Sequence, residues 1–249
     1  IAGLGPLVVV LIVAIVVLSF VITLLLGRAL RLPGNQPILI AAGFSICGVS
    51  AIGAMSAVTR SEEKESATPI ALVTLCGTLA IAVLPLLALP LGLTPAQFGM
   101  WTGASVHDVG QVVATAQIAG TTALAIAVVV KLTRVALLAP LVAITGLALR
   151  RTAESRPPIV PLFLLGFLAA VVARSFLPLP ADFLTAASEI QFLMLGMALF
   201  GLGAAIRVPT LFRTGSRALA VAGLSWFAIA ALSLAAVWIA TASGASILS

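Results

Sequence analysis

The residues able to do chemistry are few, and they cluster. His107, the only histidine of the chain, stands beside Asp108, with Gln111 and Thr115 following at i+4 and i+8 from His107. Helical spacing places His107, Gln111 and Thr115 in one polar stripe. A second pair, Lys131 and Arg134, lies at i, i+3 inside Ala125-Ile126-Ala127-Val128-Val129-Val130-Lys131-Leu132-Thr133-Arg134-Val135-Ala136. A histidine next to a carboxylate can carry protons, and two cations on one face can hold an anion. With one His and two separated Cys, no metal site is supported, and HExxH, GxSxG and Gly-rich phosphate-loop patterns are missing. The expectation is therefore not an enzyme, and no cofactor.

These groups sit in unusual surroundings. Of 249 residues 62% are hydrophobic and only 8% charged, and the mean hydropathy is +1.29. Soluble domains carry about a quarter charged residues, so a soluble enzyme and a disordered tail are excluded. The apolar residues come in blocks of about twenty, the pattern of a helical membrane protein rather than of a barrel with alternating strands. A net charge of +6 does not point to nucleic acid, because the basic residues mark the ends of apolar blocks.

Eight spans are expected: 3–27, 37–59, 67–92, 96–118, 121–149, 158–176, 183–206 and 218–242. No connection is long enough for a soluble domain, so residues 1–249 read as a single transmembrane domain of an all-α polytopic protein in the cell (inner) membrane. Loops after odd-numbered spans hold eight Lys or Arg and those after even-numbered spans three, which places the odd loops in the cytoplasm. Cys47 and Cys76 lie inside apolar blocks and read as free buried thiols. The chain opens on Ile1, and a fragment of a longer protein is expected.

Two spans are not ordinary helices. Gly43, Ser45, Gly48, Ser50 and Gly53 crowd the second, and Gly99, Gly103, Ser105, His107, Asp108 and Gln111 crowd the fourth. Shifted by 55 positions, Gly48-Val49-Ser50 falls on Gly103-Ala104-Ser105. Broken helices at 37–59 and 97–118 are expected, because such breaks are tolerated where they line a cavity and transporters build sites from them. A half-helix starting at Ser50 would offer free N–H groups to an anion, and Ser105-x-x-Asp108 reads as a capping box with Ser105 at the N-cap. Small-residue helix packing explains the second span equally and is compatible with a site. Lys131 lies ~15 Å from the start of its span, near mid-bilayer, unless the span slides and both cations snorkel.

At these residues the chain resembles the YeiH-type family of bacterial inner-membrane proteins, labelled sulfate exporters. The matching stretches are Gly43-Phe44-Ser45-Ile46-Cys47-Gly48 with Ser50-Ala51-Ile52, Gly103 through Val113, and Lys131 through Pro140. The family usually shows His-Glu-Val-Ala-Gln where this chain has His107-Asp108-Val109-Gly110-Gln111, so the acid is kept and shortened. Family members run about three spans longer at the N-terminus. The resemblance implies an inverted-repeat fold related to the bile-acid symporters and antiporters.

The first expectation is a secondary transporter exporting a small anion, sulfate or an organosulfonate. Ser45, Gly48, Ser50, Gly103, Ser105, His107, Gln111, Lys131 and Arg134 would bind it, and Asp108 and His107 would couple it to protons. The alternatives are a Na⁺- or H⁺-coupled exchanger built on Asp108, and a membrane scaffold or sensor. The partners expected are the anion, the bilayer and a coupling ion; a homo-oligomer is compatible with the sequence.

Overall fold

The computed structural model describes residues 5–148, 169, 170, 173, 176, 180–205 and 216–244, and every regular element among them is a helix. In chain order these are α1 (Pro6–Ala29), α2 (Gln36–Ser45), α3 (Val49–Thr59), α4 (Glu63–Ala88), α5 (Pro95–Ser105) and α6 (Val109–Ala116) with a 3₁₀ turn at Gln117–Ala119. α7 (Thr121–Ala136), α8 (Leu138–Ala148), α9 (Ala181–Ala205) and α10 (Ser216–Ala242) complete the set.

Local signals set the helix starts. Pro6 and Pro95 open α1 and α5, where a missing N–H costs nothing. Thr94 accepts from the Gln97 N–H and Gln97 returns the bond to Thr94, a capping box that fixes the entry to α5. Glu62 and Glu65 do the same for α4. Glu65 also accepts from Asn35, which ties the α1–α2 loop to α4.

Four stretches among the described residues are long and apolar enough to cross a membrane: Pro6–Ala29, Lys64–Ala88, Thr121–Ala148 and Ser216–Ala242. Their outer faces are apolar. Val10, Val17, Leu25, Leu86, Phe227 and Trp238 are all exposed, an arrangement suited to lipid and not to water. The expected fifth span, 121–149, is two helices, α7 and α8, that change over at Leu137. The sixth, 158–176, lies almost wholly outside the described residues. The seventh, 183–206, falls on the helix α9, which is not among those four stretches; among the described residues it packs mainly on α4 and α6 and exposes Phe192, Met194 and Phe200.

Two apolar cores meet in the interior. One gathers Phe44, Ile46, Ile52, Met55 and Leu72 around α2, α3 and α4. The other gathers Phe98, Trp101, Ala104, Val106 and Val130 around α5, α6 and α7. α5 lies closely along α7, because Gly99 and Gly103 face α7 backbone at Ala123 and Ala127, and a Cβ at either glycine would collide with it. Cys47 and Cys76 are both free and buried, as expected.

Candidate functional site

Where the two cores meet, the chain leaves the helix twice. α2 stops at Ser45 and α3 begins at Val49; α5 stops at Ser105 and α6 begins at Val109. The residues between, Ile46-Cys47-Gly48 and Val106-His107-Asp108, lie back to back, and a Cβ on Gly48 would stand 3.8 Å from the Asp108 nitrogen and the His107 carbonyl. A shift of 60 positions brings the helix ends on either side of both stretches into register. At that shift Gly43-Phe44-Ser45-Ile46-Cys47-Gly48-Val49 aligns with Gly103-Ala104-Ser105-Val106-His107-Asp108-Val109, sharing glycine, serine, a β-branched residue and valine at the same places. The shift of 55 matched glycine and serine across different turns and is corrected here.

Four helix ends therefore converge, and each should leave unpaired backbone groups. The two C-termini are satisfied from α7. Lys131 is fully buried, and its Nζ donates to Ile46 O at 2.5 Å and Val106 O at 2.9 Å, which are equivalent positions in the 60-residue register. Arg134, also fully buried, donates to Phe44 O and Ser45 O of α2 and to Gly103 O, Ala104 O and Val106 O at the end of α5. The shortest of these bonds, to Ser45 O and Ala104 O, are both 2.7 Å. Two cations at two carbonyl-rich, negative helix ends are the expected electrostatic match.

The two N-termini differ. Asp108 is the N-cap of α6: its Oδ1 accepts from the Gly110 N–H at 2.9 Å, and its own N–H donates to Gln111 Oε1 at 3.3 Å. The capping box thus runs from Asp108 to Gln111, and Ser105 is the last residue of α5, its Oγ donating back to Trp101 O at 2.7 Å. That corrects the capping box read from Ser105. The N-cap of α3 is Gly48, at φ +71° and ψ −126°, not Ser50. Gly48 brings no side chain to the cap, and no side chain caps this helix end.

A narrow cavity lies here, lined by Gly48, Val49, Val73, Thr74, His107, Asp108 and Gln111 and closed in this conformation to anything the size of a water molecule. His107 is fully buried, its ring 4.4 Å from that of Phe44, and among the described residues neither ring nitrogen has a hydrogen-bond partner. Gln111 crosses Gly77 of α4, where a Cβ would collide with its amide, and donates to Thr74 O and Thr78 Oγ1 at 3.2 and 3.3 Å.

Of the residues singled out from sequence, Gly48, His107, Asp108 and Gln111 share this cavity. Ser45, Gly103, Ser105, Lys131 and Arg134 do not line it: the carbonyls of Ser45 and Gly103 receive Arg134, and the Ser45 and Ser105 hydroxyls bond back along their own helices. Lys131 and Arg134 neither snorkel nor face the cavity, because helix-end carbonyls occupy their donors. Ser50 is exposed on α3. Thr115 donates to Gln111 O inside α6, whereas His107 precedes that helix, so the polar stripe is only its Gln111–Thr115 part. The α4 contribution, Val73 and Thr74 with Thr78 behind, was missed; Thr74-Leu75-Cys76-Gly77-Thr78, two threonines one turn apart around a glycine, was its only signal. No group of three or more His, Cys, Asp or Glu suited to a metal exists among the described residues.

A family model described as conserved hypothetical protein 698 matches residues 1–222. A UPF0324 membrane protein of Corynebacterium glutamicum is 44% identical over 218 residues, covering 86% of this chain and 63% of that protein. Similar proteins of the same description occur in Bacillus cereus, 34% identical over 232 residues (90% of this chain, 67% of the relative), and in Geobacter sulfurreducens, 35% over 211 residues (85% and 67%). The chain thus spans about two thirds of the length of these relatives. No solved structure matches it.

Proposed function

The chain belongs to the family described as conserved hypothetical protein 698 and is a multi-pass membrane protein, and we propose that it acts as a secondary transporter of a small oxyanion. In this reading residues 1–249 form one transporter domain of eight spans, with 37–59 and 97–118 as discontinuous spans of an inverted repeat. The 60-residue register and the shared clamp by Lys131 and Arg134 support that arrangement. Broken spans at mid-membrane are where secondary transporters hold their substrates.

One observation carries the assignment of an anion. Three of the four converging helix ends have a counter-charge, Lys131 and Arg134 at the C-termini and Asp108 at α6, and the α3 N-terminus at Gly48 has none. That end lies beside a buried histidine whose two nitrogens have no partner among the described residues. Uncapped N–H groups with a partial positive charge bind oxyanions. Sulfate and organosulfonates are the head groups to try first, with export as the direction to test.

Flux of labelled sulfate and taurine into proteoliposomes tests the reading. Wild-type protein should carry at least one of them, and Gly48→Ala should abolish carriage while leaving the protein monodisperse. Flux equal to that of empty liposomes for every oxyanion tried would sink it. A second reading, an exchanger that binds Na⁺ or H⁺ at Asp108, is favoured by one fact: Asp108 is the only acid among the described residues that line the cavity. It requires that Asp108→Asn abolish sodium- or proton-driven exchange with no oxyanion present.

A further inference from the structure

The charges around the cavity set a limit on what it can hold. Each helix end carries about half an elementary charge, negative at the α2 and α5 C-termini and positive at the α3 and α6 N-termini. The four ends cancel one another. Lys131 and Arg134 then stand against Asp108, and about one unit of positive charge is left over in a buried place where a net charge is costly. The other groups near Asp108 do not change this count. His107 precedes it, Cys47 faces it from the α2–α3 interruption, and α4 presents only Val73 and Thr74 to the cavity. α9, which packs on α6, carries Asp182 and Glu189, both exposed and neither in the cavity lining.

A monoanion at the α3 N-terminus neutralises the excess. A dianion overshoots it by one, unless a proton comes too. The two candidate holders of that proton are not equivalent. The Asp108 carboxylate is already engaged as the α6 cap through Gly110, so protonating it would weaken a bond that holds the interruption together. Neither His107 nitrogen has a hydrogen-bond partner among the described residues. A neutral imidazole offers one donor and one acceptor, and adding a proton makes both nitrogens donors toward an oxyanion.

We propose that the cavity takes its ligand as a net monoanion: a monovalent oxyanion alone, or a divalent one together with a single proton carried by His107. The proposal rests on the anion reading above and adds a charge rule and a proton carrier to it.

Calorimetry on the detergent-solubilised chain tests it, using sulfate and methanesulfonate as probes with the same tetrahedral head. Each titration is run in two buffers of different ionisation enthalpy, which counts the protons taken up on binding. The expected result is about one proton for sulfate and about none for methanesulfonate. Sulfate affinity should accordingly rise about tenfold for each pH unit lowered, and methanesulfonate affinity should stay flat. His107→Gln should keep methanesulfonate binding and weaken sulfate at least tenfold, with its proton uptake gone. Asp108→Asn, which can still cap α6, should bind sulfate with no proton. Equal proton counts for the two probes, or His107→Gln binding sulfate with unchanged uptake, would overturn the rule and leave the anion site standing. Absence of binding for both probes would remove the anion site and the rule together.

Discussion

The interruptions at 46–48 and 106–108 are built from one plan and finished in two ways. Each follows a Gly-x-Ser-β-branched pattern, and each hands its helix-end carbonyls to the same two side chains of α7. They part at the next helix. Asp108 sits in ordinary extended backbone at φ −96° and seals α6, whereas Gly48 takes φ +71° and leaves α3 open. The C-terminal half of each break is therefore structural, and the asymmetry that can do chemistry lies in one pair of equivalent residues. A buried cation in a membrane segment is thus not by itself a ligand site. Here the cations are held by the protein's own backbone, and the proposed anion site is where a counter-charge is missing.

The comparison can be broken most severely at its shared half. Arg134→Leu strands four buried carbonyls, those of Phe44, Ser45, Gly103 and Ala104, at about 1–3 kcal/mol each while Val106 O keeps Lys131, so it should yield no monodisperse protein by size exclusion in detergent. A stable variant would mean that those carbonyls find other partners. Lys131→Met strands only Ile46 O, since Val106 O keeps Arg134, and should cost about 1–3 kcal/mol, read as a lowered Tm. Gly48→Ala forces a side chain into a backbone region tolerated almost only by glycine, at about 1–3 kcal/mol, and puts a methyl group into the gap between the two breaks. Its Tm loss should therefore come with loss of anion binding. Asp108→Gly makes the second break a copy of the first. It should cost only a few tenths of a kcal/mol, while removing the one acid of the cavity, so oxyanion affinity should increase. An unchanged affinity would show that the acid does not oppose the anion. Ser50→Ala, on an exposed face, should shift Tm by the equivalent of less than about 0.5 kcal/mol and leave binding alone.

The sequence made the positions of both breaks legible because glycine, serine and ionisable groups are out of place amid Leu, Val and Ile. It also flagged Lys131 and Arg134, which a bilayer does not tolerate unpartnered. Their partners were not legible, since those partners are main-chain oxygens and every residue has one. The choice of N-cap was ambiguous for a related reason: Ser105 and Asp108 are both good caps, and either gives an S/D-x-x-D/Q pattern. What decided it is that Ser105 is still helical and turns its hydroxyl back to Trp101. The α4 wall escaped notice because threonines in apolar helices ordinarily bond their own backbone, and nothing local says that Gly77 clears a lane for Gln111.

The clamp has one further consequence, and it is mechanical. Lys131 and Arg134 stand one turn apart on α7, and each grips both breaks at once. With Gly99 and Gly103 pressing α5 onto the same helix, the ends of α2 and α5 and the middle of α7 behave as one solid part. Under the proposed transport, any rocking that exposes the cavity to alternate sides must carry this part whole, and the sliding surfaces must lie at its edges, against α1, α4 and α10. A crosslink across those edges should then stop flux, whereas one within the clamp should leave it unchanged.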